Sequence, residues 1–198
     1  MSLKNFNLDE LNIFLLEKET SPYASKDFRL MFVGKDNVHL ALKYILERVS
    51  SSLYLNMFGY NDEELNDLVM GIAHNPNIVC LITLDKSQSG GRFEKMLLES
   101  DMAKDPVAFN THFVIGESLT HQISHTKGFV CDGLVGCEGS TNWSRSGEGI
   151  FVVNGHAGGV GYKAQNNTQT FFTCPDAIQR FQSELIAEHV AAQRGLLK

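Results

Sequence analysis

The sequence predicts an α/β fold, with a mixed, largely parallel central sheet and helices on both faces. Short apolar runs alternate with amphipathic segments over residues 28–116, and such alternation is typical of successive strand–helix units. The run Ile78–Asp85 is apolar almost throughout, as expected of a strand that is covered on both faces. A chain of 198 residues can form one large core but is short for two α/β domains.

The elements of the first half follow from hydrophobic spacing. Residues 1–26 are interpreted as an N-terminal helical extension with an amphipathic helix, and residues 27–198 as one domain. Asp36 is the expected N-cap of the first helix of that domain. The other predicted helices cover Asn61–Ala73 and a segment near Arg92–Asp101, and strands are predicted at Phe28–Gly34, Leu53–Gly59, Ile78–Asp85 and His112–Gly116.

Past residue 120 the alternation changes to short strands. The runs KGFVCD and LVGCEG, on either side of Gly133, predict neighbouring strands that are joined tightly. The glycine-rich stretch Gly147–Gly161 is interpreted as a surface loop or hairpin, and Thr170–Cys174 as the last strand. A C-terminal helix is expected to begin at Pro175, and its apolar face consists of Ile178, Phe181, Leu185 and Ile186.

Composition limits the classes of function. A net charge of −6 argues against coating of nucleic acid by bulk electrostatics, although it permits a local basic cleft. No segment is long and apolar enough to cross a bilayer, and no signal-peptide cleavage pattern follows the start, so we expect a cytoplasmic protein. The four cysteines indicate buried thiols of a reducing compartment. Their spacing does not favour a zinc site with His121 or His125, and we expect no metal or cofactor.

Several polar side chains are crowded into HTKGFVCDGLVGCEGSTN, from His125 to Asn142. On a strand, His125 and Lys127 would point to the same side, roughly 7 Å apart. Ser140 and Asn142 share that alternation on the following segment. If the two segments are adjacent, an imidazole, an ammonium, a hydroxyl and an amide converge. Hydrogen-bond donors with one positive charge are what a phosphodiester monoanion requires.

Three neighbouring residues have supporting roles in this interpretation. Gly139 lacks a side chain where a phosphate oxygen would approach the backbone. Asp132 has the opposite parity to His125, so we expect it to support the site. Trp143, the only tryptophan, is a candidate for stacking on a base or a lipid headgroup, although core packing is favoured.

The spacing of these residues resembles the signature of the phospholipase D superfamily: His-x-Lys, four residues, Asp, six residues, and Gly-Ser-x-Asn. The resemblance covers roughly residues 28–195 and extends to ITLDKSQ, to Asn142-Trp143-Ser144 and to CPDAIQRFQSEL. It implies a phospholipase D-like domain that cleaves phosphodiesters. The residues that it implies as catalytic are His125, Lys127, Asp132, Ser140 and Asn142, and those implied to contact the substrate are Gly139, Trp143 and Gln169.

The chemistry implied by the resemblance uses two imidazoles. One attacks phosphorus and forms a phosphohistidine, while the other donates a proton to the leaving oxygen. This chain contains one His-x-Lys, so the resemblance implies a two-fold homodimer in which both His125 side chains share one site. The family's Asn-x-Glu, whose carboxylate orients the histidine, is matched best by Asn167-Thr168-Gln169. Gln169 supplies no charge, and Glu148 is the candidate substitute.

The favoured hypothesis is therefore a metal-independent, nuclease-like phosphodiesterase of the single-motif dimeric branch. The acidic composition argues against a nonspecific DNA nuclease. Hydrolysis or transfer of lipid phosphodiesters stays open, although no basic amphipathic helix predicts stable membrane association. A non-catalytic dimer that binds nucleic acid is a further alternative, prompted by the missing carboxylate.

Overall fold

The computed structural model of the chain describes residues 2–16, 25–85, 87, 95, 113–116, 123–153 and 159–196. Within these residues the strands are β1 (Phe28–Phe32), β2 (Ser52–Met57), β3 (Val79–Asp85), β4 (Phe113–Gly116), β5 (Lys127–Cys131), β6 (Val135–Gly139) and β7 (Thr168–Phe172). The α-helices are α1 (Val38–Leu46), α2 (Glu63–Ala73), α3 (Arg145–Glu148), α4 (Ile150–Val153) and α5 (Pro175–Leu196). The predicted helix near Arg92–Asp101 lies outside the described residues except for Lys95. None of the described helices is both long and apolar enough to span a membrane.

The strands form one mixed sheet in the order β1-β7-β6-β5-β2-β3-β4. The pairs β2–β3 and β3–β4 are parallel, whereas the pairs along β1-β7-β6-β5-β2 are antiparallel. The α/β class and the mixed sheet are confirmed, but parallel pairing is confined to three strands. Parallel neighbours need long crossover connections, and β5 and β6 are joined by a turn of three residues.

Both faces of the sheet are covered by helices, as predicted. Successive side chains of β5 point to opposite faces. Phe129 belongs to the large core that includes Leu42 of α1 and Val69 of α2. Val130 belongs to a second cluster with Ile178 and Leu185 of α5. Cys80, Cys131 and Cys137 are buried, Cys174 is half-buried, and none of the four forms a disulfide, which agrees with the interpretation of the cysteines.

The N-terminal segment differs from the predicted amphipathic α-helix. It forms two 3-10 helices, Leu3–Asn5 and Leu8–Phe14, and the second begins with a capping box between Asn7 and Glu10. A spacing of three residues per turn places Leu8 and Leu11 on one side, where both are fully buried in the large core, and leaves Ile13 exposed. The extension thus shares a core with the sheet, and its status as a separate unit stays a prediction.

Two local predictions are corrected by the structure. The N-cap of α1 is Asn37, whose Oδ1 accepts the N–H of Leu40 at 3.1 Å. The carboxylate of Asp36 instead accepts the N–H groups of Phe32 and Leu16, both at 2.8 Å, which closes the turn after β1. The stretch predicted as a surface loop or hairpin contains the end of α3 and all of α4.

The turn between β5 and β6 is fixed by Asp132. Asp132 and Gly133 have φ angles of 55° and 64°, the pair of left-handed residues that a type I′ hairpin turn requires. The Asp132 carboxylate accepts the backbone N–H groups of Ser50, Ser51 and Ser52 and the hydroxyls of Ser50 and Ser51. Burial alone would raise the pKa of Asp132, but these donors hold it below its ordinary value. The carboxylate thereby ties the turn to the start of β2.

Replacing this carboxylate tests its contribution to stability. We expect Asp132→Asn to lower the free energy of unfolding at pH 7 by about 1–3 kcal/mol, because Asn tolerates the left-handed backbone but brings no charge. The pKa of Asp132 is lowered by folding, so its contribution exists above the unfolded pKa, about 3.9, and is lost as the pH falls below it. Urea denaturation at several pH values measures this difference. Asp67→Asn, on the exposed face of α2, is the control. If the difference in the free energy of unfolding between wild type and Asp132→Asn stays the same in acid, the stabilising role of the Asp132 charge is contradicted.

Candidate active site

The predicted site residues meet at one edge of the sheet. β2 ends at Met57, which is paired with Lys127 at the start of β5, and the N–H of Phe58 donates to the carbonyl of Thr126 at 3.1 Å. β3 and β6 also end at this edge, with Asp85 paired to Gly116 and Gly139 paired to Gln169. Ligand sites of open α/β sheets lie at the carboxyl ends of the parallel strands, and this edge holds those ends.

His125 and Lys127 both contact the ring of Phe58. The rings of Phe58 and His125 are in edge contact, with centroids 4.5 Å apart, and the Nζ of Lys127 is 4.9 Å from the centroid of Phe58. His125 is exposed, whereas Lys127 is only 4% exposed. The structure therefore brings the imidazole and the ammonium together at the surface end of β5, with only the imidazole open to solvent.

The ammonium of Lys127 is buried without a counter-charge in the described part of the chain. Its Nζ donates to the carbonyl of His125 at 2.8 Å, and none of the described carboxylates forms an ion pair with it. Burial lowers the pKa of Lys127, and the more distant charges of Glu138 and Asp85 oppose this effect. An ammonium has three donors, so Lys127 retains donors and charge for an anion at this edge.

The side chain of Asn142 lies beside the same edge of the sheet, where it packs against Gly59. A Cβ at Gly59 would lie 2.9 Å from both Cγ and Oδ1 of Asn142, so only a glycine permits this approach. The N–H of Trp143 donates to the carbonyl of Gly59 at 2.8 Å. The Oδ1 of Asn142 is buried and has no hydrogen-bond partner among the described residues. The pair Phe58–Gly59 thus contacts His125, Lys127 and Asn142.

The sequence analysis missed the residues that hold the segment before His125. The N–H of Ser124 donates to Oδ2 of Asp85 at 2.6 Å, and its hydroxyl donates to Oδ1 of Asn56 at 3.0 Å. All three residues are buried. Asn56 and Asp85 stand near the carboxyl ends of β2 and β3, and a polar residue at the end of an apolar strand is the signal that could have revealed them. Phe58 and Gly59 carried no comparable signal.

Ser140 and Gly139 act differently from their predicted roles. The hydroxyl of Ser140 donates to Oδ1 of Asn167 at 3.1 Å and accepts the N–H of Thr168 at 3.0 Å. Its proton is thus directed at the start of β7 and not at an anion near His125. A Cβ at Gly139 would lie 2.3 Å from the carbonyl oxygen of Thr168. Gly139 is therefore required by the close approach of β7, which is a packing reason.

Neither Trp143 nor Asp132 is placed to contact a substrate bound beside His125. Trp143 is 1% exposed and packs against Tyr60 and Phe129, with ring centroids 5.6 and 6.2 Å away, so its proposed stacking on a base or headgroup is wrong. Asp132 follows the opposite end of β5, roughly 17 Å along the strand from Lys127. Its place in the candidate catalytic set is corrected to the supporting role that its parity indicated.

Neither candidate for the orienting side chain contacts His125. Gln169 is buried, and its Nε2 donates to the Sγ of Cys137 at 3.1 Å. The carboxylate of Glu148 contacts the Nδ1 of His39. The described part of the chain therefore places no carboxylate on the ring of His125.

The pair His39–Glu148 is itself strongly perturbed. Burial raises the pKa of Glu148 to about 7, against the opposing effect of the hydrogen bond with His39. Burial would lower the pKa of His39, but the hydrogen bond with Glu148 and the charges of Glu148 and Asp62 raise it. This histidine and these carboxylates form a second polar cluster, separate from the Phe58–Gly59 contacts.

An α/β sheet with helices on both faces defines the class of the fold. Comparison with solved structures shows the same fold in a member of the phospholipase D family. The chain is similar to Nuc, a phospholipase D family member from Salmonella typhimurium, with a TM-score of 0.59 and 12% identity over 82% of this chain and 94% of that one. The fold predicted from the motif is thus confirmed.

Two further structures support the same fold. NucT from Helicobacter pylori has a TM-score of 0.57 and 11% identity, over 83% of this chain and 98% of that one. The phosphatidylserine synthase of Haemophilus influenzae has a TM-score of 0.56 and 12% identity, over 78% of this chain but 35% of that one. A scan of protein-family models and a search of curated proteins give no match to this sequence.

The burial of Lys127 leads to a prediction about stability. We expect Lys127→Met to raise the free energy of unfolding at pH 7 by about 0.5–2 kcal/mol, because the ammonium is held in a site that disfavours its charge. The pKa of Lys127 is lowered by folding, so this cost is present below the folded pKa and disappears as the pH rises toward the unfolded value, about 10.4.

Denaturation in urea at pH 7 and at higher pH measures this effect. The wild-type protein should gain stability relative to the variant as the pH rises. Lys163→Met, at an exposed position, is the matched control and should leave stability nearly unchanged. A variant that is less stable than the wild type at pH 7 would contradict the prediction that the buried charge of Lys127 is unfavourable in the free protein.

Proposed function

We propose that the chain is a phosphodiesterase that needs no metal ion for its chemistry and acts through a phosphohistidine on His125, in a site completed by a second copy of the chain. The observation that carries this proposal is the group formed by His125, Lys127 and Asn142 around Phe58–Gly59. A buried ammonium that forms no ion pair with any described carboxylate is the complement of a phosphodiester monoanion.

In the first step a neutral His125 imidazole attacks phosphorus, and the bond from phosphorus to the leaving oxygen breaks. The second imidazole, protonated beforehand, gives its proton to that oxygen. In the second step the same imidazole accepts a proton from water, and the water oxygen displaces the His125 nitrogen from phosphorus. Lys127 and Asn142 donate to the non-bridging oxygens, where negative charge develops.

The second imidazole is the reason for proposing a dimer. One ring is not both nucleophile and acid in one step, and no other imidazole of the described residues contacts His125. His125 is exposed at the edge of the sheet, so a two-fold axis near this edge would bring two copies of the ring into one site.

A nucleic-acid phosphodiester is the proposed substrate class. The chain spans 94% of Nuc and 98% of NucT but only 35% of the phosphatidylserine synthase, so its size matches the short structures. Lipid phosphodiester hydrolysis or transfer is the competing outcome, and a panel of single-stranded DNA, RNA and phospholipid vesicles separates the two.

Mixed dimers test the shared site. Wild-type and His125→Ala chains are refolded together in equal amounts and assayed on a chromogenic phosphodiester in EDTA, at a temperature at which circular dichroism shows folded protein. A dimer with one His125 lacks its proton donor, which is worth on the order of 100- to 10,000-fold in rate. We therefore expect about one quarter of the activity of an all-wild-type sample, since about one quarter of random dimers contain two wild-type chains.

The controls separate the dimer from the chemistry. His74→Ala, at the exposed end of α2, should leave the mixtures fully active. An activity of about one half would mean that each chain works alone. Activity that persists in pure His125→Ala would overturn the phosphohistidine itself.

A non-catalytic dimer that binds nucleic acid is the second candidate function. It is favoured by the position of Gln169, whose side chain contacts Cys137 instead of supplying a carboxylate to His125. Retention of single-stranded DNA without cleavage, unchanged in His125→Ala, would establish this candidate.

The approach of Asn142 to Gly59 gives a test of site geometry. In Gly59→Ala the new Cβ would lie 2.9 Å from the amide of Asn142, so Asn142 must move. We expect kcat to fall by on the order of 100-fold, the effect of displacing a positioning group by about 1 Å. Steady-state kinetics measure it. Gly71→Ala, at a helical position with nothing within 4 Å, is the matched control and should keep full activity. Equal kcat values for Gly59→Ala and Gly71→Ala would show that Asn142 does not belong to the active site.

A further inference from the structure

Three side chains that are far apart in the sequence form the second polar cluster. His39 lies on α1, Asp62 is the N-cap of α2, and Glu148 ends α3. One nitrogen or oxygen atom of each lies within 4.8 Å of the other two, and all three residues are buried. Such a set of one imidazole and two carboxylates is a common ligand combination for divalent metal ions.

The cluster contains an unsatisfied buried atom. Glu148 is 1% exposed, and its Oε1 has no hydrogen-bond partner among the described residues. Its other oxygen contacts the Nδ1 of His39, and Oδ2 of Asp62 is 3.7 Å from the same nitrogen. In the described chain His39 is the only basic group that pairs with these two carboxylates. A buried carboxylate oxygen without a partner is costly, and a cation at this point would satisfy it.

The second ring nitrogen of His39, Nε2, faces a carboxylate, as is common for histidines that bind metal ions. The Nε2 of His39 lies 3.5 Å from a carboxylate oxygen of Glu64, and the same oxygen is paired with Lys43. When Nε2 carries the proton and faces a carboxylate, the lone pair of Nδ1 points toward the metal, and this arrangement orients many metal-binding histidines. In this tautomer the lone pair of His39 would be directed at Asp62 and Glu148, where the proton of the Nδ1–Glu148 hydrogen bond would give way to the ion.

We propose that His39, Asp62 and Glu148 bind one divalent transition-metal ion, with Zn²⁺ as the best match. Zinc accepts one nitrogen and two oxygen ligands in a compact site. Mg²⁺ usually keeps several of its water molecules, and this buried cluster is a poor match for a hydrated ion.

The ion has a structural role. Asp62 follows Gly59 by three residues, and Glu148 follows Asn142 by six, so one ion ties together the two segments that contact each other beside His125. It does not enter the chemistry at phosphorus, and the inference is independent of the proposed function.

The test is metal binding by the full chain. Protein freed of metal by a chelator is titrated with Zn²⁺, Co²⁺ or Mg²⁺, and binding is followed by calorimetry, by melting temperature and by the visible absorption of Co²⁺. We expect one Zn²⁺ per chain, a higher melting temperature with Zn²⁺, an absorption band with Co²⁺, and neither binding nor stabilisation with Mg²⁺. Absence of stoichiometric Zn²⁺ binding overturns the proposal.

Variants locate the ion. Asp62→Asn keeps an N-cap acceptor for α2 but loses a charged ligand, and Glu148→Gln loses another. Glu64→Gln should weaken Zn²⁺ binding by about 10–100-fold, the usual effect of removing a residue that orients a ligand, and the two ligand variants should weaken it more. Glu63→Gln, exposed in the same turn, and His125→Ala should both bind Zn²⁺ as the wild type does. If Asp62→Asn binds as tightly as Glu63→Gln, the ion is not at this cluster.

Discussion

A buried ammonium at the edge of the sheet is the constraint on which the candidate site depends. Lys127 starts β5, a strand that is buried along its whole length, and its Nζ meets a backbone carbonyl and the face of Phe58. Desolvation of a charge is unfavourable unless a partner is supplied. In the proposed function a phosphate monoanion would supply it, and the gain would be realised only when the anion is bound. Under that proposal the free protein loses some stability and gains affinity toward one class of ligand.

The polar groups behind this edge make the arrangement rigid. Asn56 and Asp85, at the ends of neighbouring parallel strands, both accept hydrogen bonds from Ser124. These bonds fix the residue before His125, while the contact with Phe58 limits its ring. Groups that must meet a substrate at fixed distances are placed most precisely by strands and by buried hydrogen bonds. This sheet edge provides both.

The sequence alone predicted the fold class and the proximity of His125 and Lys127, because two residues that are two positions apart lie close together in any local structure. It was insufficient where the answer depended on a neighbouring strand. Gly139 and Ser140 were assigned to a phosphate, but both are determined by the approach of β7, and no spacing within their own segment reveals that contact. Core packing was the favoured interpretation of Trp143, and its packing on Tyr60 confirms it. The pairing of His39 with Glu148 spans 109 residues, and neither residue belongs to a recognisable motif.

The positions of Gln169 and Glu148 account for the missing carboxylate of the Asn-x-Glu pattern. Gln169 faces Cys137 in the core, where an ionised glutamate would have no cation among the described residues and would carry the full cost of burial. Glu148, the nearest carboxylate that follows Asn142 in sequence, is bound to His39. The part of the chain that the structure describes thus leaves the ring of His125 without a charged partner. A second copy of the chain that places a charged group against this exposed ring would supply the partner that a single copy lacks. Formation of the dimer would then also orient the ring of His125.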